Sequence, residues 1–291
     1  MEKRGVNKRD DGARLRESEK NRGRNWMPGE DGSDKLLVAS EYADPCFHVG
    51  RVIRRVEDHI DREGGFGLLL ITKNIKDSTP IWQYAVAHSI PTIVHVTITG
   101  LGGSKLEPNV PQWTEEMHHF GKFIKMCNDE PFSLENIVLR IDPLVPRYTD
   151  FDILDKIIPL ASAMGVKRIR TSIVDYYPFV RDKFASAGLK MDGNGFQPSM
   201  ETKVSMLQEL IKISNKYEMS VESCAENITI EGLSLIGCAN LAEWRMLGLN
   251  LPCGSPKREG CFCNVRKIDV LPREGYCGHG CVYCYWGKYR K

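Results

Sequence analysis

Long apolar runs are missing from this sequence. No stretch approaches the roughly 20 residues that a membrane helix requires, and the opening MEKRGVNKRDDGARLRESEKNRGR lacks the apolar segment of a secretory signal. The expectation is a cytoplasmic protein with no membrane partner. Charge of one sign is missing too: 40 Lys and Arg against 38 Asp and Glu leave +2 at pH 7, so bulk composition demands neither nucleic acid nor an anionic surface. Large aliphatic residues are almost absent from residues 1–34, which cannot bury enough surface to offset ordering entropy. That stretch reads as a disordered, charged tail whose slight basic excess is either simply solvated or helps the chain dwell near an anionic polymer. No Gly-x-Gly-x-x-Gly turn follows the first apolar run, which counts against a dinucleotide-binding, doubly wound sheet.

What remains is enough for a core. With 291 residues and 42% hydrophobic content, one domain over residues 35–291 is the natural expectation. Short β-branched runs (KLLVAS, GLLLITKN, PTIVHVTIT, NIVLRIDPLV, KRIRTSIVD, MSVESCAE) alternate with helical patterns near residues 49–62, 80–88, 114–126, 151–163 and 201–216. Continuous apolar strands separated by helices signify parallel strands buried on both faces, hence an α/β fold. About six such units suit a partial or closed (β/α) barrel, with an open doubly wound sheet as the alternative. Barrel chemistry gathers at the downstream strand ends, which here carry Lys73, Thr97 and Thr99, Arg140 and Asp142, and Cys224 with Glu226.

In a reducing compartment the ten cysteines read as metal ligands, catalytic groups or core residues rather than disulfides. The segment KIDVLPREGYCGHGCVYCYWGKYRK carries Cys277-x3-Cys281-x2-Cys284, with Gly278 and Gly280 freeing the backbone to wrap a cofactor. Three thiolates at this spacing each ligate one iron of a four-iron cluster and leave the fourth iron open. The competing reading is zinc, with His279 or a distant cysteine as fourth ligand.

CGHGCVYCYW closely resembles the cluster loop of radical S-adenosylmethionine enzymes, especially the spore photoproduct lyase branch. Further stretches are similar to strands of that branch: LLVASEYADP, LLLITKN with its Thr-Lys pair, TITGLGGSKLEPNVP with a following Glu-Pro, and VLRIDPLVP. The cluster loop normally precedes those strands and here follows them, so the chain reads as circularly permuted, with the KIDVLP strand placed beside KLLVAS to restore the usual neighbours. The same features, with Cys-Ala-Glu and Cys-x-Cys, resemble the bacterial domain-of-unknown-function 1848 family. The resemblance implies a radical enzyme that uses a 4Fe-4S cluster on Cys277, Cys281 and Cys284 to cleave S-adenosylmethionine and abstract hydrogen. By that likeness Tyr283 packs near the adenine, and Lys73, Thr97, Thr99 and Arg140 bind the methionyl carboxylate and ribose. It implies an electron donor such as flavodoxin or ferredoxin, and a nucleotide or nucleic-acid substrate. Glu226 is a candidate proton shuttle.

Cys224, Cys238, Cys261 and Cys263 make a second set of four thiols, matching the ligand number of an auxiliary iron–sulfur cluster or a structural zinc, with Cys253 able to replace any one of them. Their bland reading is burial, common for cysteine. Cys127 falls in a helical pattern and reads as core. Two other functional classes stay open: a non-catalytic zinc or redox sensor, and a nucleic-acid-binding protein.

Overall fold

A computed structural model describes residues 34–40, 42–60, 65–254, 261–271 and 276–286. The tail assigned to residues 1–34 lies outside these except for Asp34, which is buried and accepts from the Gly65 and Asn250 amides. In chain order the described elements are β1 (Lys35–Ala39), α1 (Val49–Ile60), β2 (Phe66–Thr72), α2 (Ile75–Ala87), β3 (Thr92–Thr97), α3 (Trp113–Asn128), β4 (Ile137–Leu144), α4 (Phe151–Ala163), β5 (Arg168–Ile173), α5 (Pro178–Ser186), α6 (Met200–Asn215), β6 (Ser220–Ser223), β7 (Leu233–Leu235), α7 (Leu241–Met246) and β8 (Lys267–Asp269).

The strands form a single eight-stranded parallel sheet in the order β7-β6-β5-β4-β3-β2-β1-β8. The strand from KIDVLP does pair with β1, in the register Leu36↔Lys267, Leu37↔Ile268 and Val38↔Asp269, and the Val270 amide continues the ladder to Val38 O at 3.1 Å. The sheet is open, β7 and β8 being its edges, and is compatible with a partial barrel rather than a closed one. The gap between the edges is bridged by irregular backbone. Phe262 N donates to Cys224 O at 3.2 Å, Asn264 N to Ala239 O at 3.3 Å, and Arg266 N to Pro252 O at 3.3 Å.

Period-two alternation sorts the strand residues onto two faces. Leu37, Leu68, Leu70, Val94, Val96, Leu139 and Ile169 join the outer core, packed under α1 to α4 and α6 by residues such as Val52, Phe120, Phe123, Ile157 and Leu210. Leu36, Val38, Leu69 and Ile93 point the other way, against Trp244 and Leu249 at and after α7. A Cβ on Gly67 would sit 2.6 Å from Leu249 and 2.7 Å from Trp244, so glycine is what lets α7 plug the interior this closely. The plug is also ionic. Arg170, fully buried, donates to Glu222 on β6 (2.9 Å from Nε) and to Glu243 on α7 (2.8 Å), with His95 Nε2 at 3.4 Å from its Nη1. Burial and then the Arg170 charge hold the His95 pKa well below its ordinary value. Removing one member would strand a buried charge, at a cost of about 3–5 kcal/mol.

Candidate functional site

A cavity of about 590 Å³ lies at the C-terminal ends of the strands. Val38, Thr72, Thr97, Asp142 and Ser172 bring the downstream part of each of β1 to β5 to its wall, whereas Lys267 lines it from the start of β8. Six cysteines line it: Cys224, Cys238, Cys261, Cys277, Cys281 and Cys284.

The terminal cysteine loop is docked on the segment after β3. Val282 N donates to Leu106 O at 2.9 Å, Asn109 N to His279 O at 3.2 Å, and Asn109 Nδ2 to Gly278 O at 2.8 Å. Gly280 holds a left-handed φ of 67°, and a Cβ on Gly278 would meet the Phe47 ring at 2.7 Å, so both glycines are needed for this wrap.

Two buried carboxylates fix the loop to the sheet. Glu107, with no exposure, accepts from Lys73 Nζ at 2.9 Å, from Thr99 Oγ1 at 2.7 Å, and from the Tyr283 hydroxyl. Lys73 Nζ also donates to Asp142 O at 3.3 Å and stands 5.5 Å from the Tyr283 ring centroid. Burial opposes the charge on Lys73, yet Glu107 and the neighbouring Cys281 hold its pKa above the usual lysine value. Burial and then Glu107 push Tyr283 well up, so it stays a hydrogen-bond donor. Asp44 is the second anchor. It accepts from Lys73 N at 2.7 Å, Thr72 Oγ1 at 2.8 Å, Cys46 N at 3.0 Å, and His279 Nε2 at 3.0 Å. Burial works against its ionisation, but the His279 contact and these donors hold it below the ordinary carboxylate range. Among the described residues, the group of His, Cys, Asp or Glu ligand atoms lying within 4.8 Å of one another is Asp44, Cys46 and His279. The three thiols of the terminal loop are not gathered that tightly.

The second set converges on the same cavity. Cys238 Sγ lies 3.3 Å from Cys263 Sγ, and Cys263 N donates to Cys261 Sγ at 3.4 Å. That contact and then burial push the Cys238 thiol well up, whereas Cys261, contacted from Cys263, is lowered to about 7 against the effect of burial.

Of the residues expected at the site, Lys73, Thr97, Arg140, Tyr283, Cys224, Cys238, Cys261, Cys277, Cys281 and Cys284 line the cavity. Three do not. Cys263 sits just beneath the wall at 2% exposure. Thr99 is turned to Glu107 and to the Leu101 amide, serving the loop after β3. Glu226, 1% exposed, is occupied by Lys203 Nζ at 3.0 Å and Ile173 N at 3.1 Å, which places it in the packing behind β5 rather than in the cavity. Arg140 donates through Nε (2.9 Å) and Nη2 (2.6 Å) to Asp142 Oδ2 and feels Cys224 and Cys238, so it faces the second thiol set. Cys127 is core, as expected. By sequence Glu107 enters only as the Glu-Pro of the family resemblance, with no role assigned, and Asp44 is not singled out. Each stands directly before a proline, the one available signal of an extended backbone there.

A family model described as Domain of unknown function (DUF1848) matches residues 50–286. The chain belongs to that family. No curated protein matches it. Among solved structures, this DUF1848 chain is similar to Rhizobium etli pyruvate carboxylase with the allosteric activator acetyl coenzyme-A, at 14% identity and a TM-score of 0.27 over 64% of this chain and 19% of that one. It is also similar to the carboxyl transferase domain of that enzyme with pyruvate and biocytin, at 12% identity and a TM-score of 0.27 over 64% of this chain and 34% of that one. The DUF1848 chain thus spans about a third or less of the length of these structures, and the likeness is too slight to carry an argument.

Proposed function

We propose that this DUF1848 protein is a radical enzyme in which Cys277, Cys281 and Cys284 hold a 4Fe-4S cluster and S-adenosylmethionine is the co-substrate. The supporting observation is the pairing of β8 beside β1, because the loop that follows then brings three thiols to the strand ends where parallel barrels do their chemistry. The donor set fits the cluster: three thiols on one glycine-containing loop suit three separate irons with a fourth left open. When bound, the cluster and S-adenosylmethionine together supply one-electron cleavage of a sulfonium carbon–sulfur bond for hydrogen abstraction.

The chain's own residues hold and polarise that site. The Lys73 ammonium favours the thiolate of Cys281 against the burial that raises its pKa. Glu107 keeps Lys73 and Tyr283 in place, and Asp44 keeps His279 in place between the first two thiols. Thr97 offers a hydroxyl to the cavity for a carboxylate or ribose. Tyr177, Phe179, Tyr285 and Trp286 give the wall an aromatic face that suits a nucleotide or nucleic-acid base. A small one-electron donor such as flavodoxin or ferredoxin completes the reading.

Anaerobic reconstitution with iron and sulfide, reduction with dithionite, and chromatography for 5′-deoxyadenosine test it. Product that depends on Cys281 is expected. A loaded, reduced cluster that yields none overturns the reading. A second reading, a non-catalytic zinc-holding sensor, is favoured by the Asp44, Cys46 and His279 group. Zinc without iron or sulfide in anaerobically purified protein would select it.

A further inference from the structure

Four cysteines that the terminal site does not use reach the cavity from three separate places in the chain, Cys224, Cys238 and Cys261 lining it and Cys263 lying just beneath, with no three of their sulfurs within 4.8 Å of one another. Cys224 follows β6, Cys238 follows β7, and Cys261 and Cys263 precede β8. None of the four is in a disulfide, not even the Cys238 and Cys263 pair with its 3.3 Å sulfur contact. The backbone is built to allow that approach. A Cβ on Gly237 would lie 2.3 Å from Cys263 N and 2.5 Å from Phe262 O, so only glycine lets the chain before Cys238 press flat against Phe262 and Cys263. From the other side Phe262 N donates to Cys224 O at 3.2 Å, which draws the fourth thiol to the Cys261–Cys263 turn.

The surroundings carry the complementary charge. Lys267 Nζ is 3.9 Å from Cys263 Sγ. Arg140 is coupled electrostatically to Cys224 and Cys238, and its buried Nη1 has no hydrogen-bond partner although Nε and Nη2 are both used. Four thiolates around a divalent metal leave a charge of about −2, and such a buried anion needs nearby cations and donors.

We propose that Cys224, Cys238, Cys261 and Cys263 are the ligands of a second metal centre, a four-thiolate site for a thiophilic metal, zinc or iron–sulfur, sharing the cavity with the terminal loop. The ligands come from both edges of the open sheet, so the metal clips together edges that no strand ladder joins. The proposal does not depend on the radical reading, because it is tested in protein that lacks the terminal thiols.

The full-length Cys277→Ala/Cys281→Ala/Cys284→Ala variant is supplied anaerobically with zinc alone and, in a separate sample, with iron and sulfide. Retention of about one zinc, or of about four irons with matching sulfide, supports the site and identifies its metal. Chelation should then lower the melting temperature, and adding Cys261→Ser/Cys263→Ser should abolish retention. The single change Gly237→Ala, which leaves every thiol present, should weaken retention at least tenfold. A folded triple variant, checked by circular dichroism, that holds neither metal overturns the proposal. So does recovery of Cys238 and Cys263 as a disulfide in metal-free protein purified without oxygen.

Discussion

The two thiol sets face one cavity but are assembled in opposite ways. Cys277, Cys281 and Cys284 lie within a single turn-rich loop, and tertiary structure only has to dock it, through Glu107, Asp44 and the Leu106 carbonyl. Cys224, Cys238, Cys261 and Cys263 depend on distant segments arriving together, and their only local element is Cys261-Phe262-Cys263. A site compact in sequence tolerates a loose frame, whereas a site scattered in sequence is only as good as the backbone contacts that gather it. Buried carboxylates do this work for the first set and a close glycine contact does it for the second.

The comparison can be broken most severely at the first set. On the proposed radical reading, Cys281→Ala should abolish iron binding by the terminal loop after reconstitution and lower 5′-deoxyadenosine formation by more than about 100-fold, since a ligand is lost outright. Metal at the second set should survive, as elemental analysis would show. Next in size is Glu107→Ala, which leaves Lys73 buried without its anion. Denaturant unfolding should report a loss of about 3–5 kcal/mol, with the terminal loop the first region to gain hydrogen exchange.

A third test lies under the first set, at the start of α2. Glu116 accepts from Ile75 N at 2.6 Å, and burial, only partly offset by that bond, raises its pKa from 4.5 to about 8. The folded chain therefore holds a proton that the unfolded chain releases. This contribution is fully present below about pH 4.5 and is lost as pH rises through 8, a swing of a few kcal/mol at about 1.4 kcal/mol per unit. Glu116→Gln should flatten that part of the stability profile, and an unchanged slope would contradict the assignment. Gly237→Ala should cost about 1–3 kcal/mol by overpacking, and its damage should be confined to the second set. The smallest effect belongs to the exposed Lys216 and Asp155 pair, 3.1 Å apart, where Lys216→Ala should change stability by less than about 1 kcal/mol and leave both sites unaltered.

The sequence rhythm carried most of the fold. Six apolar runs became β1 to β6, and the seventh, KIDVLP, took its place beside β1. What escaped was short or weakly patterned. The helix α5 begins at Pro178 after two tyrosines, β7 has three residues with two of them exposed, and α7 has six residues whose role comes from plugging the sheet rather than from periodicity. Pro80 suggested a helix start, but Asn74 caps the helix one and a half turns earlier by accepting from Asp77 N at 3.1 Å. The terminal thiols, Lys73, Thr97 and Tyr283 were legible because they sit in motifs or at strand ends. Asp44 was not, and Glu107 was visible only as a Glu-Pro pair without a role, because a lone carboxylate in a loop shows no function until its donors are placed around it. Arg140, Thr99 and Glu226 were legible as polar strand-end residues, yet orientation turned them toward the second thiol set, the β3 loop and Lys203 respectively.

The contact between β1 and β8 also governs the order in which the molecule can form. Leu36 and Lys267 are about 230 residues apart, so their ladder is among the least local in the chain and its closure entropy must be met late. Until it closes, the outer edge of β1 is an unpaired template open to wrong partners. A chain that stops short of this pairing keeps the cavity walls supplied by β1 to β5 but leaves the loop that follows β8, with its three thiols, without the strand that leads it to them.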